Sequence, residues 1–292
     1  MPSFRLSSQI NLFGSSSGAG SLMPRGASRD SSAPLHLPAG NRHINVVELL
    51  LGKGSLTKII DQDNTTPLHL AARGGYTHLV QLLLGNTLEG HTGLVQLPCG
   101  KGAINVLDKD KNTALHLAVR EGHTAIVDLL LGKGASIEAR DRYKNTALHL
   151  AARSGHPAMV DVLLGKGASI EAPDYYNNTA LHVSAWYGHT TTVDLLLGRG
   201  ALPNALGHNQ RTPLHNAASR GHTGIAKLLF QKGASFQARN KFNETPLDVA
   251  ILGSHIEIAK LLEKQMEEPE VVEVPGESTE WWGGWGGWGG ID

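Results

Sequence analysis

The chain of 292 residues has almost no cysteine and no long apolar run. Cys99 is the only cysteine, so an intrachain disulfide is impossible and a reducing, intracellular setting, cytoplasmic or nuclear, is expected. No stretch approaches the roughly 18 apolar residues that a membrane-spanning helix needs. The first residues also lack the apolar core of a secretory signal. We therefore expect neither a disulfide scaffold nor a membrane partner.

The chain also lacks net charge, because 26 basic side chains balance 26 acidic ones. This balance argues against a strong field for nucleic acid or an anionic membrane, so nucleic acid is not expected as a partner. The balance conceals an asymmetry. Residues 1–264 hold all 26 basic groups and 19 acids, a formal +7, whereas seven acids and no basic group follow Lys264.

Catalytic signatures are absent as well. The sequence contains no G-x-S-x-G, H-E-x-x-H, C-x-x-C or protein-kinase pattern. Gly-Lys-Gly occurs at 52–54, 100–102, 132–134 and 165–167, but it follows predicted helices, whose exposed carbonyls do not cradle phosphate. Of the fifteen histidines, thirteen recur at two fixed places of a repeat, which indicates a structural role. We expect no enzyme, no cofactor and no metal site.

What the sequence does contain is a repeat of 33 residues. Thr113-Ala114-Leu115-His116 returns as T-A-L-H or T-P-L-H from positions 146, 179 and 212, and as T-P-L-D from Thr245. A threonine followed by proline or alanine favours a helix start, so each unit begins with a first helix of about ten residues. A second helix follows Gly-His and carries a one-sided apolar stripe. It is predicted to end at glycines that favour a left-handed cap, which are Gly134, Gly167, Gly200 and Gly233.

The period, the T-P-L-H-x-A string and the order of elements resemble the ankyrin repeat over about residues 33–265. The resemblance implies an all-α solenoid of stacked repeats, each a helix-turn-helix plus a β-hairpin loop, with about six full repeats and one truncated. It also implies that the histidine of the string hydrogen-bonds neighbouring backbone or hydroxyl groups. The expected order is a Ser/Gly-rich disordered leader at 1–32 (alternatively a transit peptide), two repeats at 33–85 with the first degenerate, a truncated remnant at 86–112, five repeats at 113–265, and a disordered tail at 266–292.

The register breaks between Thr66 and Thr113, which stand 47 residues apart. Leu79-Val80-Gln81-Leu82 is repeated there as Leu94-Val95-Gln96-Leu97. We interpret the two copies as the second helices of successive repeats that have lost 19 residues between them, or as an artefact of gene prediction. Because Pro98 disrupts the second copy, a stacking defect at 86–104 is predicted, separating units 33–85 from 113–265.

In ankyrin-like stacks, the family's partner surface is the concave face, made of loop tips and first helices. Aromatic residues and arginines dominate the energetics of protein interfaces, and they concentrate at these positions in the central repeats. The predicted partner-binding residues are Arg120, Tyr143, Arg153, Tyr175, Tyr176, Trp186, Tyr187, Arg220 and Phe242. Trp186 is of special interest, since the previous repeat has the polar Arg153 at that place; a local aromatic stack is the alternative.

The tail ends in a tryptophan–glycine segment whose candidate motif residues are Trp281, Trp282, Trp285 and Trp288. Three interpretations stay open: a segment without a role, a linear motif for a partner, or a plug for the chain's own concave groove. The sequence as a whole predicts a monomeric, non-enzymatic scaffold or adaptor that binds a partner protein on the concave face. The alternative is a regulatory subunit or inhibitor of an enzyme.

Overall fold

The computed structural model describes residues 60–85 and 104–267. The predicted leader, nearly all of the first repeat, most of the remnant and the tail from residue 268 lie outside the described residues. Within the two described ranges the chain forms paired α-helices and one 3-10 turn at His208–Gln210. The helices are α1 (Pro67–Arg73), α2 (Thr77–Leu83), α3 (Ala114–Arg120), α4 (Thr124–Gly132), α5 (Ala147–Ser154), α6 (Pro157–Gly165), α7 (Ala180–Tyr187), α8 (Thr190–Gly198), α9 (Pro213–Arg220), α10 (Thr223–Gln231), α11 (Pro246–Leu252) and α12 (Ile256–Glu267).

The helices stack in two layers. Each odd-numbered helix packs against the odd-numbered helices of the neighbouring repeats and against the even-numbered helix of its own repeat. The even-numbered helices form the second layer, in which α2 packs on α4, α6 on α8, α8 on α10 and α10 on α12. One continuous apolar core runs between the layers, built from fully buried side chains such as Leu115, Leu148, Leu181 and Leu214. The core continues from repeat to repeat, because no single repeat could bury its apolar face alone. The expected all-α solenoid is confirmed.

The first helices are shorter than the predicted ten residues or so. They contain seven or eight residues, because a turn or a left-handed glycine such as Gly155 (φ 68°) stops each one early. The second helices end as predicted, with Gly134, Gly167, Gly200 and Gly233 all at positive φ. The last helix, α12, runs two residues past the expected end of the array at 265.

The loops between repeats resemble hairpins but contain no β-strand in the described parts of the chain. Each is closed by a few bonds, as where the Asp141 N–H donates to the Asn145 carbonyl (3.0 Å). Neighbouring loop tips are also joined: the Arg142 N–H donates to the Asp110 carbonyl (2.9 Å), and the Tyr175 N–H donates to the Tyr143 carbonyl (2.8 Å). These single links hold the tips in a row without forming a sheet.

The predicted separation of units 33–85 from 113–265 is wrong for the residues that the structure describes, although the site of the predicted defect at 86–104 lies almost wholly outside them. Helix α1 packs directly on α3, and the His69 ring bonds to the Asn112 carbonyl (3.0 Å). The regular equivalent is the bond from His149 to the Asn178 carbonyl (3.0 Å), across 29 positions of sequence instead of 43. The described parts of the two repeats are therefore direct neighbours in the stack, while the proposed remnant at 86–103 lies outside the described residues. Residues 104–112, assigned above to a remnant, form the ordinary loop that leads into α3.

Limited proteolysis tests this correction. We expect the first cleavage within 86–103, because these residues include the extra sequence that the stack does not require. The two fragments should stay together in native size exclusion, since α1 and α3 are held by packing and hydrogen bonds rather than by the connecting chain. Fragments that separate without denaturant would contradict direct stacking of the two parts.

Candidate partner-binding groove

Two adjoining grooves lie along the loop tips and the odd-numbered helices. The larger has a volume of about 740 Å³ and the smaller about 530 Å³. Tyr143, Asn145, Arg153 and Tyr187 line both grooves and so join them into one surface across three repeats. Of the predicted residues, Arg120 lines the smaller groove, while Tyr176 and Trp186 line the larger.

The aromatic residues at the end of α7 are each covered by an arginine. The Arg220 guanidinium carbon lies 4.0 Å from the centre of the Trp186 ring, and the Arg153 guanidinium carbon lies 5.4 Å from the centre of the Tyr187 ring. Such cation–π contacts hold flexible arginine side chains in place. Trp186 is half-buried and Tyr187 remains 45% exposed. The groove therefore carries ordered aromatic and cationic groups that are open to solvent.

The aromatic residues at the loop tips divide into two sets. Tyr143 and Tyr176 line the larger groove and are about half exposed, at 47% and 49%. Tyr175 meets Tyr176 edge-on (5.2 Å between ring centres) but does not line either groove. Phe242 stands one repeat beyond the larger groove, where Lys241 lies 5.3 Å from its ring centre. The structure thus brings together most, but not all, of the predicted set.

The floor of the larger groove contains residues that the sequence analysis did not select. Asn216 is buried, and its side-chain amide donates to the His182 carbonyl (3.2 Å); the neighbouring repeats have Val183 and Val249 at this place. The polar residue at an otherwise apolar repeat position was the signal available in the sequence. Asn216 therefore places a polar side chain at the bottom of the larger groove, between aromatic side chains.

One loop tip departs from the repeat and shapes the end of the groove. Most tips begin with Asp or Asn, whose side chain bonds the backbone of the turn, as Asp174 does with the Asn178 N–H (2.8 Å). Gly207 replaces this residue, and the Asn178 side chain instead accepts from the His208 N–H (3.1 Å). A Cβ at Gly207 would lie 2.6 Å from the Asn178 side-chain oxygen, so glycine permits this close approach. His208 then meets Tyr176 edge-on (5.3 Å).

The histidines of the repeat string connect each repeat to the next. In His182, Nδ1 accepts from the Thr179 N–H (3.2 Å), so Nε2 carries the proton and donates to the Arg211 carbonyl (3.0 Å). The same bridge recurs from His69, His116, His149 and His215 to the residue that precedes the capping threonine of the next repeat. In the last repeat, Asp248 caps Thr245 in place of histidine, with its carboxylate accepting from the Thr245 N–H (2.8 Å). The predicted structural role of these histidines is confirmed.

A second histidine set, at the start of the even-numbered helices, fastens the other ends of the first helices. The His189 ring bonds to the Arg153 carbonyl (2.9 Å), and the His222 ring bonds to the Trp186 carbonyl (3.3 Å). His123 and His255 bond equivalent carbonyls of Arg73 and Ser219. Free carbonyls at helix C-termini need such donors. These bonds fix the backbone of the residues that line the groove.

Burial lowers the pKa of all five bridging histidines, against smaller effects of backbone bonds that raise it. For His182 the pKa falls to about 4. A neutral ring is what the bridge requires, since a proton on Nδ1 would face the Thr179 N–H. In the described ranges, no three His, Cys, Asp or Glu side chains converge as metal ligands. No helix there is long and apolar enough to cross a bilayer.

The architecture defines the class of this protein: a solenoid of helical pairs joined by hairpin-like loops, with a groove along its odd-numbered helices. The family model for ankyrin repeats matches residues 12–92, 35–141, 87–174, 140–206 and 181–271. The chain therefore belongs to the ankyrin-repeat family, as its sequence predicted.

No curated protein matches it. Among solved structures, the human ASB11 ankyrin repeat domain superposes with a TM-score of 0.66 at 26% identity, covering 79% of this chain and 98% of that one. Ankyrin repeats generally mediate protein–protein interaction.

Proposed function

We propose that this protein is a non-enzymatic scaffold or adaptor that binds a partner protein through the surface formed by the two grooves. The observation that carries this proposal is the cluster of exposed aromatic rings and arginines across three adjoining repeats. Large rings with few rotatable bonds, set among polar groups, are typical of the residues that dominate binding energy. Tyr175 and Phe242 extend the proposed surface beyond the grooves.

The arginines of this surface keep a charge that no carboxylate neutralises, since even the Arg120 guanidinium donates to a neutral acceptor, the Asn112 side-chain oxygen (2.9 Å). No ion pair in the described part of the chain involves Arg120, Arg153, Arg211 or Arg220. The carboxylates nearby are already used: Asp110 pairs with Arg142 (2.7 Å), and Asp141 and Asp174 hold their own turns. A partner with acidic and apolar groups fits this surface best. A reducing intracellular setting and a monomeric state remain part of the proposal.

Capture of partners with the full chain tests the proposal. Trp186→Ala together with Tyr176→Ala should weaken binding by about 2 kcal/mol or more, roughly a thirtyfold loss of affinity, because central aromatic residues carry large shares of binding energy. The matched control is Leu202→Ala, which truncates an exposed apolar side chain (57% exposed) outside both grooves. An unchanged set of partners in the double variant would disprove the assignment of this surface.

The second candidate, a regulatory subunit or inhibitor of an enzyme, uses the same surface. It is favoured if the captured partner is an enzyme whose turnover changes when the wild-type chain is added. The Trp186→Ala/Tyr176→Ala variant should then lose the effect on turnover and the binding together.

A further inference from the structure

We propose that the groove is occupied by the chain's own C-terminal segment, residues 268–292, which competes with the partner for the same surface. The inference rests on the proposed function for its consequence, but its physical basis is separate. It follows from the arginines without carboxylate partners in the structure and from the charge and aromatic content of the segment that follows α12.

Charge complementarity is the first argument. No ion pair within the described residues involves Arg120, Arg153 or Arg211, which line the grooves, or Arg220, which lies over Trp186. The segment 268–292 contains six acids and no lysine or arginine. Asp110, Asp141 and Asp174 also line the grooves, but the arginines outnumber them and leave a net positive charge. A positive groove and an acidic segment on one chain attract each other at a high effective concentration, because the connecting chain is short.

Ring chemistry is the second argument. Arg153 and Arg220 already lie over Tyr187 and Trp186, and a planar guanidinium has a second face on which another ring can stack. The segment supplies rings in Trp281, Trp282, Trp285 and Trp288, directly after Glu280. In this arrangement the carboxylate would pair with a groove arginine, and the tryptophan rings would stack on guanidinium groups and aromatic side chains of the groove.

Reach is the third argument. Helix α12 ends at Glu267, in the last described repeat, and the groove centres on α7, two repeats earlier. Packed helices are about 8–10 Å apart, so two repeats measure about 20 Å along the stack. The 14 residues from 268 to 281 can extend about 46 Å. This length is enough to pass from the layer of even-numbered helices, where α12 ends, to the groove.

Paramagnetic relaxation in the full-length chain tests the proposal. Cys99 is the only thiol, so Cys99→Ser with Ser278→Cys places one spin label three residues before Trp281 without removing any acid or tryptophan. Amide signals at the ends of α5, α7 and α9 should broaden more strongly than those of α6, α8 and α10. Equal or absent broadening on the two layers would overturn the proposal.

Charge variants distinguish binding of the C-terminal segment in the groove from nonspecific electrostatic attraction to the rest of the chain. Arg153→Glu with Arg220→Glu should abolish the selective broadening, whereas Lys232→Glu, an exposed charge at the end of α10, should leave it intact. If the arginine variants unfold, replacing Glu273, Glu277 and Glu280 with glutamine must give the same loss, because these changes leave every described residue untouched. Broadening that persists in that variant would refute the electrostatic basis.

Two further comparisons identify the occupant and isolate the proposed function. In a mixture of labelled, isotope-free chain and unlabelled, isotope-enriched chain, the broadening should disappear; its persistence would assign the groove to a second copy and overturn an intramolecular contact. Partner capture should strengthen several-fold in the glutamine variant, because a self-occupied groove lowers the competent fraction. If capture depends on Trp186 but not on the segment, only this inference fails.

Discussion

Replacing His182 with alanine is expected to lower the free energy of unfolding by about 3 kcal/mol or more. The ring is fully buried, caps α7 through Thr179, and joins this repeat to the next through the Arg211 carbonyl. Alanine removes these bonds and leaves the Arg211 carbonyl without its donor, which costs about 1–3 kcal/mol by itself. The cavity adds to the loss. Urea unfolding followed by circular dichroism measures the change.

Two comparisons define the source of the effect. His182→Asn should lose less than alanine, because an amide oxygen can still accept from Thr179, as the carboxylate of Asp248 does for Thr245 in the last repeat. His208→Ala should change the free energy by less than about 0.5 kcal/mol, because that ring is exposed and outside the bridging set. A loss below about 1 kcal/mol for His182→Ala would contradict the proposed bridge.

Acid should destabilise the stack between about pH 6.5 and pH 4, and most of this range lies above the pKa of ordinary carboxylates, which is about 4. Burial lowers the pKa of the bridging histidines in the folded chain, so the unfolded chain, with a histidine pKa near 6.5, binds more protons in this range. Stability is therefore complete above about pH 6.5 and falls as the pH decreases towards the folded pKa.

The magnitude follows from His182, whose pKa falls to about 4. A shift of this size corresponds to about 3 kcal/mol lost by pH 4, and the other bridging histidines act in the same direction. Urea midpoints at pH 7.5, 6.5, 5.5 and 4.5 measure the slope, which His182→Asn should reduce. The pKa of Asp248 is lowered by its bonds to Thr245, so its contribution is lost only below about pH 4 and does not overlap. Constant midpoints from pH 7.5 to 4.5 would contradict the prediction.

The sequence predicted the repeat, the helix starts, the left-handed glycine caps and the structural histidines, because these features recur and depend on neighbours within one unit. Thr179 and His182, for example, cap a helix three residues apart. Six of the sequence's nine candidate binding residues line the grooves, since loop tips and helix ends occupy fixed places in the unit. It missed Asn216 and the effect of Gly207, because their roles depend on what the preceding repeat places opposite them.

The sequence of the interval from Thr66 to Thr113 could not determine which repeats are neighbours in the stack. Forty-seven residues are 19 fewer than two periods and 14 more than one, and the doubled L-V-Q-L string allowed either interpretation. The sequence by itself determined the family, the period and the chemistry of each unit, since local propensity and hydrophobic spacing act over a few residues. Only the tertiary structure decided which units are neighbours, because the bond from His69 to the Asn112 carbonyl joins residues whose separation no periodic pattern specifies.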